Sequence, residues 1–444
     1  MSDELKHNQE QGSSETENKE ESAAAEEAGQ EEQYSFLQET FKDEQKNRKN
    51  MHGSIWKTAG RGLLFGAAAC LAFCALKPFI ESRIGNNPDV VTIPADDTAE
   101  EDKAKEEGED GAEEEAPVLP SLTVDSYREM NRELYQIAVA SSKAVVEVTG
   151  IQEGNWEDTN FDEKNSVSGV IFYDNGIELL MLAPSRIIKD AQGFTVTFTD
   201  NTSYSATIKK QDRNLGLAVF SVVRNKVSES TWAQIQVATL GNSNIVNRGD
   251  PMIALGKQFG YVGGLGYGTV SSVRNKVAVA DGEYKLLTTD IAAAENGSGI
   301  LFNTNGEVIG IADQKISDGP SNALVTAYAI SDIKDCLELL SNGKAVPYLG
   351  IKGVEVTENI AQEQGLPEGI YVKEVEADSP AMQAGIQSGD VITKIGKTTV
   401  TTLSGYRKSL LDCTSGQPLK VNGQRQGASG YVEISFDVTV GSKE

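Results

Sequence analysis

The sequence predicts a mainly β protein with two folded regions, which follow a single long apolar segment. Many short segments rich in Val, Ile, Thr and Phe alternate with turn signals, a pattern typical of β-barrels and sandwiches. A boundary near Val346–Pro347 separates a larger region from a smaller β-rich unit, residues 345–444. The apolar segment, residues 62–80, precedes both regions.

Acidic segments flank the apolar segment on both sides. Residues 1–45 hold 14 acidic side chains and three lysines, with few apolar residues to bury, so this tail is predicted to be disordered. Residues 81–120 form a second acidic segment, which self-repulsion is expected to keep extended as a linker. The net charge of −26 lies largely in these segments, and the remainder offers no basic patch for nucleic acid.

Residues 62–80 are predicted to be a transmembrane helix. Only Lys77 interrupts the apolar run, and its ammonium can reach the membrane surface, which leaves enough length for a bilayer of about 30 Å. The basic segment 46–61 precedes the span, so the N-terminus is expected in the cytoplasm and the folded regions outside. A cleaved signal peptide is one alternative, which the long polar stretch before the span disfavours. A lipoprotein signal at Cys70 or Cys74 is another, which the bulky Phe73 and the short apolar run before Cys70 disfavour.

The elements of the larger region begin with a helix and continue as strands. Apolar residues recur at helical spacing over Val124–Ser142, and a second helix, Ser331–Leu340, ends the region. Strands are predicted at Ala144–Ile151, Ser168–Tyr173, Phe194–Asp200, Ser203–Asp212, Gly216–Val222, Asp250–Gly256, Tyr267–Val273, Tyr284–Asp290 and Gly306–Ala312.

Several segments in this order resemble the HtrA (DegP-like) family. "SGVIFYDNG" is similar to a strand and hairpin of the family's first barrel, and Leu240–Gly260 resembles its "LG-D-S…GD…AIG-PFG" segment. Asn303–Ile311 matches the strand that follows the family's catalytic serine. The resemblance implies a trypsin-like double β-barrel over residues 121–344 and a C-terminal PDZ domain over 345–444.

The resemblance assigns one residue of this sequence to each position of the catalytic triad, and at two of the three positions the residue type differs from the family's. In "TDIAAAENGSGIL", Ser298 falls on the nucleophile position, although Asn296 replaces a family glycine and the sequence after the serine is one residue shorter. "MLAPSRIIKDA" places Arg186 at the histidine position, and "LGLAV" places Gly216 at the aspartate position. These two differences beside Ser298 affect the turn whose backbone N–H groups form the oxyanion hole in the family.

A histidine base is absent from the folded regions. The chain has two histidines, His7 and His52, and both precede the apolar segment. A serine protease of this kind needs a histidine to take the proton of its serine, and arginine cannot replace it because it stays protonated. Activity would need another base, for example a lysine as in Ser–Lys hydrolases, and Lys257 and Lys315 are candidates because they lie in nearby segments.

The smaller unit carries a second candidate site. "YLGIKGVEVT" resembles the start of the family's PDZ domain, in which a loop offers backbone N–H groups to the terminal carboxylate of a peptide. A helix over Leu403–Leu411 is expected to form the far wall of the peptide groove. The predicted peptide-binding residues are Tyr348, Leu349, Gly350 and Ile351 in the loop, with Leu403, Arg407 and Leu410 on the helix.

These observations favour a membrane-anchored, extracytoplasmic HtrA-like protein without peptidase activity. Its expected ligands are peptide C-termini or unfolded chains, bound through the PDZ domain, and no metal or cofactor is expected. One alternative is an active serine endopeptidase that uses Ser298 with a non-standard base. Another is a regulatory subunit that forms a homotrimer or a mixed oligomer with active relatives. Whether Cys336 and Cys413 pair is left open by the sequence.

Overall fold

The computed structural model describes residues 89–96, 123–152, 165–316 and 323–444, which all belong to one compact unit, Ile84–Glu444. Within these ranges, no helix is both long enough and apolar enough to cross a membrane. The predictions for the acidic tail 1–45, the basic segment 46–61, the apolar span 62–80 and most of the linker 81–120 fall outside the described residues.

Helix α1, Val124–Ser142, has the bounds that the apolar spacing predicts. The side chain of Thr123 accepts a hydrogen bond from the backbone N–H of Ser126, which satisfies one of the free N–H groups at the start of a helix. Ala138 and Ser141 near its C-terminal end are buried, whereas its first half is largely exposed. The helix is therefore attached to the rest of the fold mainly through its last two turns.

The first barrel is closed and antiparallel, with strand order β1-β2-β3-β6-β5-β4. Its interior holds fully buried side chains, among them Val148, Ile171, Met181 and Phe220. The short helix α2, Glu229–Trp232, follows its last strand. The strands are β1 Val145–Ile151, β2 Ser166–Asp174, β3 Glu178–Pro184, β4 Gly193–Thr197, β5 Ser203–Asp212 and β6 Leu217–Val223.

The second barrel is also closed, with strand order β10-β11-β12-β9-β8-β7. Strands β8 and β9 form a long hairpin whose tip is Ala280–Asp281. A cluster of buried residues that includes Val170, Ile253 and Ile300 joins the two barrels. The strands are β7 Pro251–Lys257, β8 Gly264–Val279, β9 Gly282–Ala292, β10 Ser298–Phe302, β11 Val308–Asp313 and β12 Leu324–Ala329.

Helix α3, Ile330–Ser341, closes the second barrel and binds a segment from the N-terminal side of the fold. In residues 89–96, which belong to the predicted linker, Val91 is buried and exchanges two hydrogen bonds with the Asn342 side chain, of 2.8 and 3.0 Å. Lys334 forms a buried ion pair with Asp96 at 2.7 Å. This part of the linker is packed against the second barrel.

The PDZ unit is a sheet with strand order β14-β15-β16-β18-β19 and a separate small pair, β13 with β20. Helix α6, Leu403–Leu411, has the bounds that the sequence predicts and packs Tyr406 and Leu410 into the core. Its other elements are β13 Pro347–Tyr348, β14 Ile351–Val356, α4 Glu358–Gln364, β15 Gly369–Val375, α5 Pro380–Gln383, β16 Val391–Ile395, β17 Thr398–Thr399, β18 Pro418–Gly427, β19 Gly430–Thr439 and β20 Gly441–Ser442.

The predicted double barrel and PDZ fold are confirmed, and the predicted strands match observed ones. The strand prediction lacked β3, β10 and β12. In β3 and β10 almost every residue is buried, so neither strand shows the apolar–polar alternation that reveals a half-exposed strand. The missing β10 matters most, because it begins at Ser298.

Candidate functional site

Ser298 lies in the contact between the two barrels and is fully buried. Its Oγ accepts a hydrogen bond of 2.9 Å from the backbone N–H of Ser168, on β2 of the first barrel. The Ser168 hydroxyl in turn donates to the Ser298 carbonyl at 3.2 Å and accepts from the Lys257 backbone N–H at 2.7 Å. The Ser298 hydroxyl therefore takes part in joining the barrels and is shielded from solvent.

Glycine is required beside this contact. Gly256 has φ +122°, and a Cβ at this position would lie 2.3 Å from Ser168 Oγ. Only glycine allows strand β7 to approach Ser168 so closely in this backbone conformation. The local sequence thus favours tight packing at Ser298 over an open catalytic cleft.

The two lysines proposed as alternative bases make defined contacts elsewhere. Lys257 is buried, and its Nζ donates a hydrogen bond of 2.6 Å to Ser166 Oγ. Lys315 is half-exposed, and its Nζ lies 3.8 Å from a carboxylate oxygen of Glu295. Lys257 Nζ thus contacts Ser166 Oγ and Lys315 Nζ contacts Glu295, whereas Ser298 Oγ accepts its hydrogen bond from a backbone N–H.

Arg186 lies against the segment that carries Ser298. It belongs to a short 3₁₀ turn, Ser185–Ile188, directly after β3. One guanidinium nitrogen donates to the carboxylate of Asp313, and the other donates to the carbonyl of Asn296 at 2.9 Å. Since Asn296 is two residues before Ser298, the arginine holds the turn at the nucleophile position from the opposite barrel.

Asp313, the partner of Arg186, was not identified from the sequence. It is the last residue of β11, lies directly across from Ser298 in the strand register, and is largely buried. Burial raises the pKa of its carboxyl group, while the Arg186 guanidinium and the Lys315 backbone N–H, at 3.1 Å, oppose that rise. The ion pair stabilises a carboxylate that would otherwise be costly to bury.

The turn before Ser298 has its own internal hydrogen bonds. The Gly297 N–H donates to the Ala294 carbonyl at 2.8 Å, and the Ala294 N–H donates to the Gln258 carbonyl at 2.8 Å. The Gly297 carbonyl accepts from the Gln314 N–H at 3.0 Å. These hydrogen bonds fix the backbone of the turn that leads into Ser298.

Gly216 lies at the turn into β6 with φ +70°. Its carbonyl accepts a hydrogen bond of 2.8 Å from the Ser185 N–H, so the structure brings the Gly216 and Arg186 turns together. Both residues line a cleft of about 280 Å³ that Asp313 and Lys315 also line. The position holds no side chain that could orient a base.

The carboxylate loop of the PDZ unit, Tyr348–Ile351, is bound to a carboxylate in this structure. The backbone N–H groups of Leu349 and Gly350 each donate to Asp281 Oδ2 at 2.7 Å, and the Ile351 N–H donates to Oδ1 at 3.1 Å. Gly350 has φ +91°, and a Cβ there would meet Ser379 at 2.3 Å, so this loop conformation requires glycine.

Asp281 is the tip of the β8–β9 hairpin and is buried. The Tyr406 hydroxyl donates to Asp281 Oδ1 at 2.7 Å, and the Asp281 backbone N–H donates to the Ile351 carbonyl at 2.6 Å. Burial raises the pKa of the Asp281 carboxyl group, and the hydrogen bonds from the carboxylate loop and Tyr406 oppose this rise. In the sequence, Asp281-Gly282 indicates only a turn, and no spacing pointed to the loop some 70 positions later.

The α6 residues predicted to face a peptide differ in their surroundings. Leu410 packs in the PDZ core and is 2 % exposed, while Leu403 is half-buried. Arg407 lies over the Tyr284 ring, 4.6 Å from its centre, and donates to the Glu283 carbonyl at 3.3 Å. The helix wall therefore contacts β9 of the second barrel.

Both described cysteines are free thiols. Cys336 is buried in α3, where its sulfur lies 3.7 Å from the Tyr284 hydroxyl, and Cys413 follows α6. The two residues do not form a disulfide with each other, which answers the question that the sequence left open.

Each of the two folded regions matches a known domain family. A family model described as trypsin-like peptidase domain matches residues 167–311, and one described as PDZ domain matches residues 347–436. A serine protease Do-like HtrB from Bacillus subtilis is 30% identical over 279 residues, which cover 59% of this chain and 59% of that protein. A serine protease Do-like HtrA from the same organism is 27% identical, over 67% of this chain and 71% of that protein.

Solved structures show the same fold. An HtrA-type protease AlgW variant, solved with a tripeptide, has 22% sequence identity and a TM-score of 0.52, covering 70% of this chain and 98% of that chain. The alignment with HtrB spans less than two thirds of the relative's own length. The chain thus carries a trypsin-like peptidase domain followed by a PDZ domain, and it is similar to proteins named as HtrA-type serine proteases.

Proposed function

We propose that this chain is a membrane-anchored, extracytoplasmic HtrA-like protein without peptidase activity, which binds peptide C-termini or unfolded chains in protein quality control. The observation that carries the binding role is the carboxylate loop. Three consecutive N–H groups, from Leu349 to Ile351, converge on a single carboxylate. A loop with this geometry has the chemistry needed to hold the terminal carboxylate of a peptide.

The absence of peptidase activity is supported by the surroundings of Ser298. A nucleophilic serine needs a neighbouring base and an open position for the substrate carbonyl. Here the hydroxyl is buried and accepts a hydrogen bond from the Ser168 N–H, and Arg186 is engaged with Asp313. Losing triad members leaves studied proteases with an acceleration of about 10³–10⁴-fold over water, which needs an intact oxyanion hole.

The second candidate function is that of an active serine endopeptidase, which the relatives favour because they are named serine proteases. The test is to treat the purified full chain with a fluorophosphonate probe and with casein, and to repeat both with Ser298→Ala. The proposed function predicts that neither protein is labelled by the probe and that neither cleaves casein. Cleavage that disappears with Ser298→Ala would establish the endopeptidase instead.

The membrane anchor rests on residues 46–80, with a basic segment before an apolar span. It is tested by adding a protease to intact cells that express the full chain. Degradation of the folded domains, with residues 1–45 protected, is expected. Protection of the folded domains until the membrane is permeabilised would refute the proposed orientation.

A further inference from the structure

The tip of the β8–β9 hairpin presents to the carboxylate loop the same groups as the end of a peptide. The Asp281 carboxylate receives the N–H groups of Leu349, Gly350 and Ile351. The Asp281 backbone N–H donates to the Ile351 carbonyl at 2.6 Å. A peptide that adds to the edge of a sheet uses both kinds of contact, a bound carboxylate and backbone hydrogen bonds to the strand.

The residues after Asp281 occupy the other wall of the same groove. The Glu283 carbonyl accepts from Arg407 on α6 at 3.3 Å, and the Tyr284 ring lies beneath the Arg407 guanidinium. A Cβ placed on Gly282 would lie 3.2 Å from the Arg407 side chain, so the hairpin passes close to α6. The hairpin therefore contacts both the loop and the helix that were predicted to enclose a peptide.

The buried carboxylate of Asp281 is fully supplied with hydrogen-bond donors. It receives four hydrogen bonds, three from the carboxylate loop and one from the Tyr406 hydroxyl, which together offset the loss of solvation. Every donor belongs to the PDZ unit, although Asp281 belongs to the second barrel. The contact is thus specific to the carboxylate and joins two domains.

We propose that Asp281 is an internal competitor for the peptide site. A peptide C-terminus binds the carboxylate loop only after the hairpin tip has left it. This inference rests on the proposed peptide binding and adds its regulation. The apparent dissociation constant then equals the intrinsic constant divided by the fraction of molecules in which the hairpin is displaced.

The test compares the full chain with Asp281→Asn, in which an amide N–H₂ group faces the N–H donors of the loop. Asp281→Gly is a second variant, because φ at this position is +62° and glycine adopts that conformation without strain. Asp190→Asn is the matched control, since Asp190 is an exposed aspartate with φ +63° outside the PDZ unit. The probe is a fluorescein-labelled pool of decapeptides with random last residues and a free carboxylate.

Fluorescence polarisation should show binding about tenfold or more tighter for both Asp281 variants than for the parent chain and the Asp190 variant. The same pool with amidated C-termini should bind none of them. Equal affinity across all four proteins would overturn the internal competitor and leave peptide binding intact. Failure of all four to bind would overturn peptide binding as well.

Hydrogen exchange gives a readout that needs no peptide. The backbone N–H groups of Leu349, Gly350 and Ile351 should be protected in the parent chain and should exchange at least several-fold faster in Asp281→Asn. Equal protection in both proteins would contradict the inference. Protection elsewhere in the PDZ unit, for example in β18 and β19, should be unchanged, which separates release of the loop from unfolding.

Discussion

The Arg186 guanidinium forms an ion pair with the Asp313 carboxylate, and this pair connects the turn after β3 of the first barrel to the end of β11 in the second. Through its second donor, Arg186 also holds the Asn296 carbonyl, two residues before Ser298. Arg186, which the resemblance predicts at the histidine position, thus supports the structure of the Ser298 turn.

Replacing Arg186 by methionine should destabilise the fold. The change leaves the largely buried Asp313 carboxylate without its cation, and breaking a buried ion pair on one side costs about 3 kcal/mol. The free energy of unfolding from urea titration measures the effect. The pKa of Asp313 should rise further, because Arg186 opposes the effect of burial.

Adding Asp313→Asn to the Arg186→Met variant should recover much of the lost unfolding free energy, since a neutral amide can be buried without a cation beside it. A double-mutant cycle isolates the pair, and Arg128→Met, which breaks an exposed helix pair, is the control with an expected loss below about 0.5 kcal/mol. Strict additivity of Arg186→Met and Asp313→Asn would contradict the coupling.

Ser298→Ala should lower stability. The substitution removes the acceptor of the Ser168 N–H, and a buried N–H without a partner costs about 1–3 kcal/mol. Urea unfolding is the measurement. Ser435→Ala, at a hydroxyl that contacts Asn422 on the surface, should change the unfolding free energy little. A loss no larger than that of the surface control would argue against the bridging role of the hydroxyl.

Restoring two triad residues should not restore catalysis. In Arg186→His with Gly216→Asp, the Ser298 hydroxyl is expected to remain buried and bonded to Ser168, because neither substituted side chain takes part in that hydrogen bond. The expected result is no fluorophosphonate labelling and no casein cleavage, provided that circular dichroism confirms folding. Labelling of Ser298 in this variant would show that its hydroxyl is more accessible than the structure indicates.

Asp212→Asn should change how stability depends on pH. Burial raises the pKa of Asp212 to about 6, against the opposing Asn214 and Leu215 backbone N–H groups, and Lys443 and Asp281 act in opposite directions nearby. Within the described part of the chain, its Oδ2 has no hydrogen-bond partner. The folded state therefore binds the Asp212 proton more tightly than the unfolded state, whose pKa is 3.8.

This contribution to stability is complete below pH 3.8 and is lost as the pH rises through about 6. Asparagine does not titrate, so the free energy of unfolding of the variant should increase relative to that of the parent chain between pH 4 and pH 8. The gain is roughly 3 kcal/mol for a shift of this size. Urea titrations of both proteins at the two pH values measure it, and a difference that does not vary with pH would refute it.

The mainly β class was predictable because strand patterns and turn signals are local, and the double barrel with a PDZ domain was predictable from the family resemblance. Ser298, Arg186 and Gly216 could be assigned from the resemblance. The structure places Arg186 beside the segment that carries Ser298, and it places Gly216 beside the turn that carries Arg186. Strand β10 escaped prediction because its side chains are buried on both faces.

The partners of these residues could not be predicted. Asp313 lies 127 positions from Arg186, and Ser168 lies 130 positions from Ser298, and no local pattern records such contacts. Asp281 precedes a glycine, a pair typical of turns, and nothing in the sequence connects it to the carboxylate loop. The packing of Val91 and Asp96 on α3 was equally hidden, because the acidic composition around them indicates an extended chain.

The shared use of the carboxylate loop by Asp281 has a thermodynamic consequence. The hairpin tip and a peptide end exclude each other from the loop, so their binding equilibria are linked. The factor by which a peptide end weakens docking of the hairpin equals the factor by which the docked hairpin weakens binding of the peptide. The hairpin strand β9 leads directly into the turn that Arg186 holds. On the proposed competition, a peptide end in the PDZ groove frees the hairpin tip and thereby the start of β9, and any change that holds the tip in the carboxylate loop lowers the affinity for peptide ends.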